Sequence, residues 1–316
     1  MAAASAPLGV SVVVPMFNER EVVPSLVASL DKLDRDFAGR YDFEFILVDD
    51  GSRDETVALL AAATAGRPNC RIVRHGANRG IGAAIQTGLR AASHDIVASM
   101  DCDGSYDPAL LGELIPLLGP GVDLVTASPY HVAGAVENVP LWRLRLSRLA
   151  SQLYGIVCWH KLSCYTSCFR VYRKSTVAPI ELANEGFVGV AELLCAVLHR
   201  GGGVVEHPAM LRSRIAGVSK MRVFRASLGH LKLMSRMAFD RLARACSPNP
   251  AAISPSESRD GAAANGQGHE PLVTTTPRTA SPNGATVGIP SSTHFRPVGA
   301  AEFVTSPEPG ARAPGY

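Results

Sequence analysis

Nowhere does this sequence hold an apolar run long enough to cross a bilayer; the longest, around Phe187 to Leu198, is interrupted by Glu192. No basic segment precedes the first apolar run, so no signal peptide is expected at the N-terminus. An excess of one charge is lacking too. Thirty-one basic residues against 28 acidic leave +3 over 316 residues, too little to predict a nucleic-acid partner. The seven cysteines (70, 102, 158, 164, 168, 195 and 246) are odd in number and scattered among regular elements, which argues against a disulfide framework and for a reducing, cytoplasmic setting. Cys164 and Cys168 have no partner pair at metal-ligand spacing, so no zinc site is expected.

What the chain does hold is apolar bulk, 47% of its residues, arranged in alternating short runs and helical patterns. Val10 to Val14 is a strand stopped by Pro15, followed by a helix from Glu19 to about Leu33. The pattern repeats as strand 43–48, helix 54–64, strand 71–74, helix 80–92, strand 95–100, helix 107–117 and strand 122–127. Strand–helix alternation with continuously apolar strands predicts an α/β fold: a mainly parallel, twisted sheet with helices on both faces. Beyond residue 130 the alternation fades. Helices are expected at Trp142–Trp159, with Leu144, Leu149, Leu153 and Ile156 near one face, and at Phe187–Arg200, then a strand near 203–207 and a basic loop, Arg212–Arg222. Residues 223–246 pattern as a basic amphipathic helix. Residues 247–316 hold eleven of the 22 prolines amid Ser, Thr, Gly and Ala, a composition expected of a disordered tail.

Two acidic pairs stand at strand ends, where sheets of this kind bind ligands. Asp101-Cys102-Asp103 follows the run 95–100, and Asp49-Asp50 closes the run 43–48 before Gly51-Ser52. Carboxylates one residue apart can hold a hard divalent cation against a diphosphate. Each pair alone also suits a turn and helix cap. Gly80-Ile81-Gly82 suggests a dinucleotide loop, but Ile85 stands where the third glycine belongs, and the segment follows the third strand instead of the first.

Taken together, Val13-Val14-Pro15-Met16-Phe17-Asn18-Glu19, Val48 to Thr56, Asn78 to Ala84 and Met100 to Asp103 resemble the family 2 glycosyltransferases of GT-A fold. The order and spacing look most like the dolichol-phosphate mannosyltransferase-like, or polyprenyl-phosphate glycosyltransferase, branch. The resemblance covers residues 9–222, a nucleotide-sugar half (9–130) and an acceptor half (131–222). It implies that Pro15, Phe17 and Glu19 line the nucleotide pocket, that Val48 and Asp50 reach base and ribose, and that Asp101 and Asp103, with Cys102 between them, hold Mg²⁺ or Mn²⁺ on the donor diphosphate. Tyr165-Thr166-Ser167-Cys168-Phe169-Arg170 resembles the acceptor-side motif, and Arg214 to Lys220 a basic loop that closes near the diphosphate. Arg143 matches an arginine that contacts an acceptor phosphate. Asp103, Arg143, Arg214 and Lys220 are thus the residues expected to carry catalysis.

This chain departs from the family pattern at Cys164, Cys168, Ser105 and Pro129, which puts the acceptor in question more than the donor. A lipid phosphate is ionised near neutrality and needs no general base, whereas a sugar hydroxyl does. The loss of the family's carboxylate at Cys164 favours the phosphate, and Glu192 is the remaining candidate base, a capping or salt-bridged role being its alternative. The expected activity is metal-dependent, inverting transfer from a nucleotide-sugar to a polyprenyl phosphate. Two alternatives stand: transfer to a saccharide or small-molecule hydroxyl, and a non-catalytic nucleotide-sugar or lipid-binding protein. Arg222, Arg225, Lys232, Arg236, Arg241 and Arg244, interleaved with Phe224, Leu228, Leu231, Met234, Phe239 and Leu242, predict peripheral contact with the cytoplasmic membrane face.

Overall fold

The computed structural model describes residues 6–216 and 223–246. Its elements run β1 (Leu8–Met16), α1 (Val23–Asp36), β2 (Tyr41–Asp49), α2 (Thr56–Ala63), β3 (Cys70–Arg74), α3 (Ile81–Ala91), β4 (Ile96–Ser99), α4 (Leu111–Leu114), β5 (Leu124–Ser128), β6 (Ala135–Glu137), α5 (Leu141–Cys158), β7 (Arg170–Arg173), α6 (Lys174–Val177), α7 (Phe187–His199), β8 (Val204–Pro208), β9 (Met210–Arg212) and α8 (Val223–Cys246).

Strand alternation explains why both sheet faces are covered. Val10, Val12 and Val14 of β1, with Phe43, Phe45 and Leu47 of β2, enter a core shared with Leu26, Leu30 and Leu33 of α1 and Leu111 and Leu114 of α4. Val13, Ile46 and Val48 enter a second core with Ile85 and Leu89 of α3, Tyr154 of α5, Leu193 and Leu194 of α7 and Leu233 of α8. Each large side chain so buried contributes about 1.5–3 kcal/mol relative to exposure, so apolar side chains on both sides of a strand commit it to the sheet interior.

Seven strands lie in the order β3-β2-β1-β4-β7-β5-β8, every neighbouring pair parallel except the two made by β7. Val10 of β1 pairs with Phe43 on one side and Ile96 on the other, and Met16 pairs with Asp49. The carboxyl ends of β1, β2 and β4 therefore share one edge. Met100 N donates to Val13 O and Asp50 N to Met16 O, which fixes where the two acidic segments leave the sheet.

The antiparallel strand β7 was not anticipated. It is four residues long with an arginine at each end, too short and too polar to register as a strand by pattern. The first helix starts at Val23 instead of Glu19, because Asn18 takes a left-handed turn (φ 52°) and Val22 N bonds back to Glu19 O. The expected helix 107–117 is a single α turn between two 3₁₀ segments; Pro116 has no N–H to continue it. On α5, Leu144 is buried as expected, but Leu149 and Ile156 are exposed. The tail 247–316 and the loop residues 217–222, Lys220 among them, lie outside the described residues.

Candidate functional site

The loops after β1 and β2 are joined residue by residue. Asn18 N donates to Ser52 Oγ (2.8 Å), Arg53 N to Asn18 Oδ1 (2.8 Å) and Glu19 N to Thr56 Oγ1 (2.9 Å). Glu19 is thereby held at the strand edge with Phe17, which is partly exposed two residues before it. Gly51 has to be glycine here: its φ is 75°, and a Cβ would stand 2.5 Å from the Ala77 carbonyl carbon.

The structure gives Asp50 a different task from the expected ribose contact. His75 Nδ1 (2.7 Å) and Arg79 N (2.9 Å) meet Oδ1, while Asn78 Nδ2 (2.9 Å) and Gly80 N (2.6 Å) donate to Oδ2. All four acceptor positions are taken, so Asp50 anchors the β3–α3 loop to the end of β2. Val48, at the end of β2, offers the edge only its backbone. Its side chain lies fully buried in the second core, with none of it at the surface, and Pro15 is buried too.

Asp101, Cys102 and Asp103 leave β4 beside Glu19, and Arg214 spans the gap. Its Nη2 lies 3.1 Å from Glu19 Oε1 and 3.1 Å from Asp103 Oδ2, to which Nε also donates (3.3 Å). Burial disfavours the guanidinium's charge, but Asp103 and Glu19 outweigh that and raise its pKa. Ser105 donates from backbone and hydroxyl to Asp103 Oδ1. Burial, reinforced by the charge of Asp103, pushes the Asp101 carboxyl up to about 7, against the Cys168 thiol, Arg214 and Arg170, which favour its ionised form. The backbone of the basic loop runs along the same segment: Ile215 N donates to Asp103 O (2.9 Å) and Arg212 N to Ser105 O (2.9 Å). Ile215 covers Gly104, where a Cβ would stand 2.3 Å from Cδ1.

The segment 165–170, which resembles the acceptor-side motif, is mostly interior. Tyr165 stacks on Tyr154 (5.4 Å between centroids), Tyr106 packs on Phe169, and Ser99 Oγ donates to Cys168 O. Arg170, wholly buried, donates to Val190 O (2.6 Å), Tyr165 O (2.8 Å) and Thr126 Oγ1 (3.3 Å). It is the keystone that seats β7. Arg143 lies in the first turn of α5, one turn before Ser147, whose hydroxyl meets Thr166 Oγ1 at 2.8 Å.

Glu192 serves structure. It accepts from Ala183 N (3.2 Å), Asn184 N (2.8 Å) and Asn184 Nδ2 (2.9 Å), with Arg236 3.6 Å away. The loop it fixes caps α3, since Ala83 N donates to Glu185 O. Sequence reasoning missed Glu206 of β8, which accepts from Ser163 N (3.0 Å) and Cys164 N (2.8 Å) and so places a carboxylate beside the position where the family's aspartate is lost. A lone acidic residue in a strand of mixed exposure gives no sequence signal of its partner.

Residues 11–179 match the family described as Glycosyl transferase family 2. This chain belongs to that family. Among similar proteins, the polyprenol monophosphomannose synthase of Mycolicibacterium smegmatis is 32% identical over 66% of this chain and 80% of its own length. The dolichol-phosphate mannosyltransferase of Pyrococcus furiosus is 30% identical over 67% of this chain, which spans 59% of that protein. The undecaprenyl-phosphate 4-deoxy-4-formamido-L-arabinose transferase of Pseudomonas paraeruginosa is 32% identical over 64% of this chain and 61% of its own length. The fold is that of glucosyl-3-phosphoglycerate synthase from Mycobacterium tuberculosis, crystallised with Mn²⁺ and UDP (TM-score 0.54, 24% identity, covering 78% of this chain and 83% of that one) and also with Mg²⁺ and UDP.

In this glycosyltransferase, no group of three or more His, Cys, Asp or Glu side chains among the described residues is placed to cage a metal ion. Two carboxylates one residue apart are nevertheless the donor set on which Mg²⁺ is commonly held, the rest of its shell coming from substrate phosphates and water. Arg214 Nη1 is buried and finds no hydrogen-bond partner among the described residues, a donor that a diphosphate oxygen would satisfy. The residues present therefore fit a metal–diphosphate group.

Proposed function

We propose that this chain transfers a sugar, with inversion and with Mg²⁺ or Mn²⁺, from a nucleotide-sugar to a polyprenyl phosphate at a membrane surface. The observation that carries it is the convergence of Asp101, Asp103 and Glu19 around Arg214 at the carboxyl edge of the sheet. Asp101 and Asp103 would hold the metal, which offsets the charge developing on the departing diphosphate. Arg214 would donate to the same diphosphate, and the Arg212–Ile215 backbone keeps it over the strand edge. Phe17 and Glu19 would face the nucleotide, and Arg143 on α5 the acceptor phosphate. Lost translational freedom and preorganised charge then supply the rate.

A phosphate acceptor is favoured over a hydroxyl because the two positions considered for a general base offer none. Position 164 is a buried thiol whose pKa burial pushes up, and the Glu192 carboxylate is engaged by three donors. Membrane attachment is supported by α8. Its Leu233, Met234 and Met237 pack inward, while Phe224, Leu228, Leu231, Phe239 and Leu242 stay exposed among Arg225, Lys232, Arg236 and Arg241. Leu141, Trp142 and Ile156 on the neighbouring α5 are exposed as well. No helix among the described residues is long and apolar enough to cross a membrane.

The deciding experiment presents radiolabelled nucleotide-sugars with Mn²⁺ to polyprenyl phosphate in vesicles and, separately, to soluble saccharides. Lipid-linked product is expected, abolished in Asp103→Ala with the fold retained by circular dichroism. Product on saccharides alone, or full activity in Asp103→Ala, overturns the proposal.

A further inference from the structure

Two thiols meet away from the strand edge. Cys158, the last residue of α5, and Cys195, in the middle of α7, bring their Sγ atoms to 3.2 Å, and both are free. Cys195 is fully buried, whereas Cys158 is partly exposed and lines a cavity of about 260 Å³ with Val157, Leu198, His199, Asp240 and Arg241. Arg241 closes one wall, donating from Nη1 to Val157 O (3.1 Å) and lying 3.9 Å over the Trp159 ring. The backbone turns sharply here, Trp159 standing in the left-handed region at φ 53°. Neither thiol belongs to the transfer site proposed above.

We infer that Cys158 and Cys195 form a reactive dithiol, an oxidative modification site in which Cys158 is attacked first by a peroxide entering the cavity and Cys195 resolves it. The Cys158 thiolate displaces hydroxide from hydrogen peroxide and becomes a sulfenic acid. The Cys195 sulfur then attacks that sulfur, water leaves, and a disulfide remains. In sum, two thiols and one peroxide give one disulfide and two waters. Closing the bond needs a further approach of about 1 Å, from contact distance to bond length. Local electrostatics assign the two roles. The hydrogen bond shared by the two sulfurs lowers the Cys158 pKa, opposed by burial and assisted by Arg241, while the same bond, then burial and its neighbour's charge raise the Cys195 thiol. Burial pushes Cys70, Cys102, Cys164 and Cys168 up instead. A bridge here closes a loop that holds the whole segment 165–170 and joins the helix bearing Arg143 to α7.

The test uses the reduced full-length chain and hydrogen peroxide. The expected result is loss of two titratable thiols and of the mass of two hydrogens, reversed by dithiothreitol, with peptide mapping placing the bond between Cys158 and Cys195. Cys195→Ser is expected to leave a Cys158 sulfenic acid that dimedone traps, and Cys158→Ser to slow thiol loss at least about tenfold. Both variants in reduced form should transfer sugar at the wild-type rate. Phenylarsine oxide, which needs two adjacent thiols, should bind the unmutated chain once and either variant not at all, a reading that requires no oxidation. A bridge between other cysteines, or peroxide consumption unchanged in Cys158→Ser, overturns the assignment.

Discussion

Replacing Arg214 by Met removes one guanidinium from between two carboxylates, and its consequence depends on what else is bound. The Arg214 side chain is 21% exposed, with Glu19 at 8% and Asp103 at 19%, so these ion pairs lie between the surface and buried limits. Exposed pairs are worth up to about 1 kcal/mol, and breaking a buried one costs about 3–5 kcal/mol; about 2 kcal/mol is the loss expected without metal. For a domain of this size that is a fall of about 4–8 °C in Tm. Mn²⁺ should reverse most of it, because a cation on Asp101 and Asp103 supplies the missing charge, whereas in the wild type it must first draw Asp103 away from Arg214. The variant's gain in Tm on adding Mn²⁺ should therefore exceed the wild type's. The assay is thermal melting in EDTA and in saturating Mn²⁺ at pH 8, where Asp101 is ionised. A variant that melts with the wild type in EDTA, or gains no more from Mn²⁺, refutes the claim that Arg214 and the metal share one electrostatic position. Transfer with saturating Mn²⁺ should still fall about 10²–10³-fold, since the diphosphate loses a preorganised donor.

Because burial and the charge of Asp103 raise Asp101 from an ordinary 3.8 to about 7, it costs stability progressively as pH rises from about 4 to about 7, and above 7 its ionised form favours metal binding. Mn²⁺ affinity measured by calorimetry should therefore weaken below pH 7, by up to about tenfold per unit; equal affinity at pH 6 and 8 would contradict this. Glu192→Gln should cost about 1–2 kcal/mol of stability through the Ala183–Asn184 donors, with transfer kept within a few-fold. A hundredfold loss of kcat at unchanged Tm would instead make Glu192 a general base. Gly80→Ala, at φ 112° with its Cβ 2.7 Å from Glu185 O, should lose about 3 kcal/mol in urea unfolding. An unchanged midpoint would mean that the 184–186 loop yields freely.

The parallel half of the fold was legible because its central strands are apolar on both sides and end at polar turns. That signal needs no partner to be read, and β1, β2, β3 and β4 appear within a few residues of expectation. β7 was not legible. Arg170-Val171-Tyr172-Arg173 carries charge at both ends, and it is a central strand only because the Arg170 guanidinium reaches two carbonyls and a hydroxyl on other elements. A buried arginine satisfied by backbone oxygens has no pattern along the chain. The same reason hid the task of Asp50, whose four donors come from residues 75 to 80, a loop whose approach depends on the β2–β3 register.

The site divides along the same line. Asp101 and Asp103 could be placed at the carboxyl edge from their strand end alone, Glu19 came with the family resemblance, and the register of β1 with β4 carries all three to one edge. Arg214 lies 111 residues from Asp103, and only the run of its loop along 103–105 brings it there. On the acceptor side the missing family carboxylate at Cys164 made a hydroxyl acceptor hard to deprotonate. Glu206 restores a carboxylate to that neighbourhood, yet both its oxygens accept from the Ser163 and Cys164 amides. With one oxygen held by the Ser163 amide and the other by the Cys164 amide, Glu206 ties the 163–164 backbone to β8 instead of facing an acceptor hydroxyl. Its presence therefore strengthens the case for an acceptor that arrives already ionised, and that chemistry belongs to a phosphate.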